Sequence, residues 1–432
     1  MLLIICAVTV RVLFVVFNPP TNMLSDSYGY YDIGNNILNH PTLSTVINQY
    51  RLPGYPIFLS SIVTLTQGDQ SPINNLEARW ITVPQNILGI VSCVFLFCML
   101  LTLSIPKSLA FGVSLFQAMN ITIFSWEWVV MPEAIAQVIL IGMIYILIQL
   151  IYSPSKTKYV AFGILGLLGW LVRPNLIIVP IISLIILFPT IRNKRLLWIH
   201  FTILILSIIF PLLYVWGNIS FHGYSGISQV NEIDLLGRIL EFNLPLEAGK
   251  QQKDLYKSIT AYQKTTKMPS PYEYMTKIDP SVDVNLLTTQ DLPKFDRTII
   301  SHNVVQYVFQ AVKSIPTIFS DSDIYINGTP QNLLYDLFYS LQIIYNTVWY
   351  GGYLLFILWP VSVWIYFTKP KRIHIVPVLL GAISICQILI IVLFDFYTKG
   401  LYGRLASIIQ PETFLFLVIF VYNIFHKDKV KT

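Results

Sequence analysis

Residues 2–18, LLIICAVTVRVLFVVFN, form an apolar run broken by one charge, Arg11. The polar stretch Met23-Leu24-Ser25-Asp26-Ser27-Tyr28-Gly29-Tyr30-Tyr31-Asp32 follows it, and its two charges are both acidic. An apolar run leading into an acidic loop reads as a membrane span emerging at a surface. The rest of the chain repeats the alternation. Of 432 residues, 55% are hydrophobic and 12% charged, and the mean hydropathy is +0.64. A soluble domain carries roughly 25% charged residues, so the composition predicts an all-α polytopic membrane protein. The net charge of +6 does not point to nucleic acid, because the basic residues sit in short loops between apolar runs.

A helix needs about 20 apolar residues to cross the hydrocarbon core. Ten candidate spans meet or approach this: 2–18, 84–104, 107–126, 131–152, 159–172, 174–190, 196–216, 338–367, 373–394 and 402–425. The fifth and sixth are short and separated only by Arg173-Pro174. They read as two spans, as one broken hairpin, or as helices that do not fully cross. The first run lacks a basic leader, and Asn18-Pro19-Pro20 is a poor cleavage site, so it reads as a retained span. It begins at Met1 with no polar residue ahead of it, which leaves room for a few further native residues.

Placing the N-terminus in the cytoplasm puts every basic cluster of the short loops on one side, as the positive-inside rule expects. These are Lys107; Lys156 and Lys158; Arg192, Lys194 and Arg195; Lys369, Lys371 and Arg372; and the tail Lys427, Lys429 and Lys431. The other side receives the first loop 19–83, the corner at Arg173-Pro174, the segment 217–337 and the loop 395–401 with Lys399. The chain therefore divides into an N-terminal membrane module, 1–216, an α-rich extracytoplasmic domain, 217–337, and C-terminal helices, 338–432. Runs near 231–243, 250–264 and 299–314 have helical spacing. Both termini are expected in the cytoplasm.

The same orientation brings several polar groups to the outer level: Arg11, Asp26, Arg51, Glu133, Arg173 and Arg404. Ionisable groups at membrane depth usually face a cavity or a bundle interior. Each also has a plainer reading. Ser-Asp is good helix-capping chemistry, so Asp26 can cap a helix. Arg11 can snorkel to the interface. Glu133 follows Pro132 at a helix start, where the macrodipole favours an anion. Arg404 can pair with Asp395 or Glu412. Two or more of Tyr28, Tyr30 and Tyr31 fit an interfacial aromatic belt. His40, His222 and His302 lack metal-ligand spacing such as His-x-x-x-His, so the sequence specifies no metal; it leaves a divalent cation open. The four cysteines lie inside apolar runs and read as packing residues.

Carboxylates beside arginines on an outer face suit an anionic, membrane-embedded substrate. Arginine binds phosphate in bidentate fashion and keeps its charge, and a carboxylate can take the proton of an attacking hydroxyl. Sugar transfer outside the cytoplasm needs a lipid-linked donor.

The order of these pieces resembles the GT-C class of integral-membrane glycosyltransferases. The similarity is nearest to the protein O-mannosyltransferase and lipid A aminoarabinose transferase group, family 39-like. It rests on Arg11 late in the first span, on Asp26 with Tyr30 and Gly34 following at intervals of four, and on Arg51-Leu52-Pro53-Gly54-Tyr55-Pro56. Pro132-Glu133, Arg173-Pro174 and Arg404 with Pro411 complete it. Coverage is good over about 1–190 and thin beyond. Leu52 replaces a proline of the pattern and Leu405 a tyrosine.

The resemblance implies a bundle of about ten transmembrane helices with an extracytoplasmic active site. Asp26 would be the acceptor-activating base and Glu133 a second catalytic acid. Arg11, Tyr30, Arg51, Tyr55, Arg173, Tyr402 and Arg404 would contact substrates. The donor would be a polyprenyl-phosphate sugar and the acceptor a glycan, lipid or protein. Rival readings are a transporter or flippase of a lipid-linked glycan, a glycan polymerase or ligase, and a scaffold.

Overall fold

The computed structural model describes residues 1–17, 23–66, 75–188, 191, 193–266, 270–276, 287–320, 324, 333–396 and 401–425. Arg192, Lys399 and the tail lysines Lys427, Lys429 and Lys431 lie outside the described residues. Among the described residues, all regular structure is helical.

Six helices are long and apolar enough to cross a membrane: Ala78–Thr102, Glu133–Tyr152, Lys194–His222, Tyr335–Thr368, Arg372–Phe394 and Tyr402–Phe425. Their length and composition make this a multi-pass membrane protein. Lys107–Ala118 and Ile121–Glu127 pass the same test together, bent by 55°. The ten apolar segments all become helical, yet three fall short of a full crossing. Leu2–Phe17 has 16 residues and Lys156–Val172 has 17. The segment at 174–190 forms the short 3-10 turn Pro174–Ile177 and the 10-residue helix Ile178–Leu187. At about 1.5 Å per residue, none of the three reaches the roughly 30 Å of a hydrocarbon core. The count of ten is therefore a count of apolar segments, and six or seven of them have spanning length.

Proline explains the break at Arg173. It disfavours helix in the residue before it, and Arg173 is extended at φ −144° and ψ 123°. Arg173 thereby ends Lys156–Val172 and stands at the turn into the next segment.

The first loop is folded back onto the bundle. Helices Ser25–Asn39 and Gly54–Leu65 pack on each other, and Gly54–Leu65 also packs on Lys156–Val172; a glycine sets how closely at each contact. A Cβ on Gly34 would stand 2.6 Å from the carbonyl oxygen of Pro56, and one on Gly54 would stand 2.6 Å from that of Leu171. Tyr30, Tyr31, Tyr55 and Leu59 are buried together there. Tyr30 and Tyr31 are thus core residues and not part of an exposed aromatic belt, while Tyr28 is exposed.

The segment after His222 is woven to this loop. The Gln229 N–H donates to the Gln49 carbonyl at 2.8 Å, and the Ser228 hydroxyl donates to the Tyr50 carbonyl. The Tyr214 hydroxyl accepts from the Asn48 N–H at 2.9 Å and donates to its carbonyl at 3.0 Å. Helix Gln229–Glu241 is pinned to the bundle by Arg238, which is fully buried. The Arg238 guanidinium donates to the Val392 carbonyl at 2.5 Å and to Glu241 at 2.8 Å. It also lies 5.4 Å from the centre of the Tyr402 ring.

Candidate active site

Asp26 lies in the first turn of Ser25–Asn39, where the helix dipole favours an anion. It does not cap that helix. The cap is reciprocal between Leu24 and Ser27: the Leu24 N–H donates to the Ser27 hydroxyl at 3.0 Å, and the hydroxyl donates on to the Val130 carbonyl at 2.7 Å. The carboxylate of Asp26 is left for two arginines. Its Oδ1 accepts from Arg51 at 3.0 Å and its Oδ2 from Arg404 at 3.3 Å.

Glu133 opens the helix Glu133–Tyr152 and is 2% exposed. Its Oε1 pairs with Arg173 and lies 3.3 Å from Arg404 Nε. Arg404, in the first turn of the last helix, therefore ties the two carboxylates together. Neither Asp395 nor Glu412 is its partner. Three guanidiniums face two carboxylates, so the cluster has one positive charge in excess. Arg173 Nε is buried and has no hydrogen-bond partner among the described residues. This is donor capacity available to a ligand.

Asp26, Tyr30, Arg51, Arg173 and Arg404 line a cavity of about 350 Å³, and Glu133 stands behind its arginines, outside the lining. Tyr30 holds the Arg51 guanidinium over its ring, 5.0 Å from the centre. Tyr55 sits behind Tyr30 in an edge contact at 5.0 Å and donates to Gln85 at 2.7 Å, so it supports the wall and does not line it. Asp234, Tyr272 and Asp395 also line the cavity. The Tyr272 hydroxyl donates to Asp234 at 2.7 Å.

The carboxyls of the cavity differ electrostatically. Burial opposes ionisation of Asp26, but Arg51, Arg404 and Arg173 outweigh it and hold the carboxyl below its usual range. Burial and the nearby Asp395 push Asp234 up to about 7, against the Tyr272 hydrogen bond. Burial pushes Asp395 up to about 6, against Arg173, Arg238 and Arg404. Asp26 is thus a fixed anion among cations, while burial raises the carboxyls of Asp234 and Asp395 towards neutral pH.

Besides Tyr55 and Glu133, two further expected site residues lie outside the lining. Arg11 is buried against Glu127, with both nitrogen–oxygen pairs at 2.6 Å, and it also donates to the carbonyls of Ala7 and Ala118. That pair holds Leu2–Phe17 to the end of Ile121–Glu127 and leaves Arg11 outside the cavity. Tyr402 is buried beneath Arg238, and its hydroxyl donates to the Asp395 carbonyl at 3.3 Å. Sequence reasoning misses Glu127, Asp234 and Tyr272. A lone carboxylate at the end of one apolar run, matched to a lone arginine in another, is the available signal for Glu127. Asp234 and Tyr272 carry no local signal. Among the described residues, no three His, Cys, Asp or Glu side chains come together as a metal-holding group.

No family model matches the chain, and no curated protein matches it. Among solved structures, the chain is similar to the oligosaccharyltransferase of Archaeoglobus fulgidus. The apo form is 11% identical with a TM-score of 0.48, over 99% of this chain and 50% of that one. The archaeal oligosaccharyltransferase AglB from the same organism, in complex with an inhibitory peptide and a dolichol-phosphate, is 10% identical with a TM-score of 0.46. That match covers 100% of this chain and 52% of that one. The chain spans about half the length of these structures.

Proposed function

We propose that the protein is an integral-membrane glycosyltransferase of the GT-C type. It moves a sugar from a polyprenyl-phosphate-linked donor to an acceptor hydroxyl at the extracytoplasmic face. The observation that carries this reading is the convergence of Asp26 with Arg51, Arg173 and Arg404 on one cavity, with Glu133 paired to Arg173 and Arg404 behind it.

In this proposal the acceptor hydroxyl passes its proton to Asp26 as its oxygen attacks the anomeric carbon. The bond from that carbon to the phosphate oxygen breaks, and its electron pair leaves with the lipid phosphate. Single displacement inverts the anomeric centre. Arginines already inside the cavity take up the charge that develops on the phosphate. Asp26 held below the usual carboxylate range is a weak base. A donor phosphate that draws Arg404 and Arg51 onto itself would weaken their hold on Asp26 and raise its basicity when the substrate is present. Glu133 keeps Arg173 and Arg404 oriented.

The cavity adjoins a path for the lipid. Ile177 lines it and also lines an apolar groove of about 360 Å³ between Lys156–Val172 and Lys194–His222. A polyprenyl chain in that groove would bring its phosphate to Arg173. The test is purified Asp26→Asn with a labelled lipid-linked sugar. Turnover is expected to fall about 10²–10⁴-fold, the usual contribution of a positioned base, and normal turnover would overturn the assignment. Substrate-dependent flux in liposomes without covalent product would favour the flippase instead.

A further inference from the structure

A second polar-mouthed cavity, of about 550 Å³, lies at the opposite end of the bundle from the candidate active site. Glu133–Tyr152 carries Glu133 at one end and Leu150 near the other, about 25 Å apart at the helical rise. Arg372–Phe394 likewise has Phe394 at the active-site cavity and Arg372 at this one.

The interior and the mouth of this cavity differ in chemistry. Leu150, Ile151, Leu187, Leu196 and Ile375 make apolar walls, while Asn193, Lys371 and Arg372 stand at the opening. The helices Lys156–Val172, Lys194–His222 and Arg372–Phe394 all begin here, so their positive dipole ends converge on it. The connecting segments 153–158, 192–195 and 369–372 hold eight basic residues and no acidic one. One Arg372 nitrogen caps the Tyr152 carbonyl at 3.0 Å, and Lys158 is bonded to Ser153. Lys371 has no such partner among the described residues. Deep in the cavity lies Tyr159, 2% exposed. Its phenol has no hydrogen-bond partner among the described residues, although a buried tyrosine hydroxyl normally finds one.

We infer that this cavity binds the phosphodiester headgroup of an anionic phospholipid from the leaflet at that end. The phosphate is held by Lys371 and Arg372, the headgroup reaches the Tyr159 hydroxyl, and the first acyl carbons lie on the leucine and isoleucine walls. A soluble phosphate would satisfy the basic mouth but leave those walls without a partner. Basic pockets between membrane helices recognise lipid headgroups by this combination. Lipid binding at this end is independent of the reaction assigned to the other end of the molecule.

The test uses the full chain in nanodiscs of phosphatidylcholine with or without phosphatidylglycerol, and counts retained lipid by native mass spectrometry. The wild type is expected to retain phosphatidylglycerol over phosphatidylcholine by about fivefold or more, the effect of one basic residue near a charged membrane surface. Lys371→Gln combined with Arg372→Gln should bring the preference close to unity. Because Arg372 also caps a helix, Lys371→Gln alone provides the second variant, and it should lower the preference severalfold. Equal retention of the two lipids by the wild type would overturn the site. So would an unchanged preference in the folded Lys371→Gln protein. Inorganic phosphate raising the melting temperature as far as phosphatidylglycerol does would overturn the lipid assignment.

Discussion

Arg404 and Asp26 stand 378 positions apart in the chain and 3.3 Å apart in space. The first loop and the last helix therefore build one site, and neither half of the sequence contains it. Arg404 also reaches Glu133 at 3.3 Å, so a single planar guanidinium sets the spacing of the two carboxylates.

Arg404→Lys tests that bridge. An ammonium is a point charge and cannot serve two carboxylates from fixed directions as a guanidinium does. Turnover should fall about 10²-fold or more, the range seen when one preorganised donor is removed. The acid limb of the pH–rate profile should also move upward, because Asp26 loses part of what holds its carboxyl down. An unaltered profile with normal turnover would remove Arg404 from the site.

Arg11 and Glu127 call for a different outcome. Both are buried, and their double contact joins two helices outside the cavity. Removing one partner of a buried pair costs about 3–5 kcal/mol, so Arg11→Leu should lower thermal stability strongly. Replacing both, Arg11→Leu with Glu127→Leu, should recover much of the loss. Turnover per folded molecule should stay near wild type in the double variant. A selective loss of turnover with intact stability would return Arg11 to substrate binding.

The sequence was legible where the physics is local. Apolar runs declare helices because lipid leaves the backbone no other way to bond, and the ten expected segments are all helical. Span length was less legible, since Pro174 ended Lys156–Val172 and the 3-10 turn Pro174–Ile177 took up the start of the segment that follows. Asp26, Glu133, Arg51, Arg173 and Arg404 could be placed at one level by topology. Their pairing could not, and Asp395 and Glu412 were equally reasonable partners for Arg404. Asp234 and Tyr272 were invisible because nothing near them in sequence shows that their helices close over the cavity.

Asp234 gives the pH dependence a sign. An ordinary aspartate titrates near 4, whereas Asp234 is pushed up to about 7 and Asp395 to about 6. Between those values the folded protein keeps protons that the unfolded chain has released. Stability is therefore greatest below about pH 4 as far as these groups are concerned, falls as pH rises towards 7, and is flat above. Asp234→Asn should flatten the fall of melting temperature between pH 5 and 7. Tyr272→Phe removes a hydrogen bond that favours the carboxylate, so it should extend the fall to higher pH. Identical slopes in wild type and Asp234→Asn would show that Asp234 is not the group titrating.

Gly54 supplies the most local test of how the site is spaced. A Cβ there would stand 2.6 Å from the Leu171 carbonyl oxygen and 2.9 Å from the Val172 nitrogen. These are backbone atoms, which cannot swing aside as a side chain could. Gly54 follows Arg51 by three residues, and Val172 precedes Arg173, so the contact fixes the separation of two arginines of the cavity. Gly54→Ala must push the first loop away from the end of Lys156–Val172. Overpacking of this kind costs about 1–3 kcal/mol, and a displacement of about 1 Å at a site can lower the rate about 10²-fold. Gly29→Ala is the control. It lies on the helix that carries Asp26, and nothing stands within 4 Å of its added Cβ. Alanine there should leave turnover intact and raise stability by about 0.5–1 kcal/mol, the helix preference of alanine over glycine. If Gly54→Ala behaved like Gly29→Ala in both turnover and melting temperature, close backbone packing would not be what sets the distance from Arg51 to Arg173.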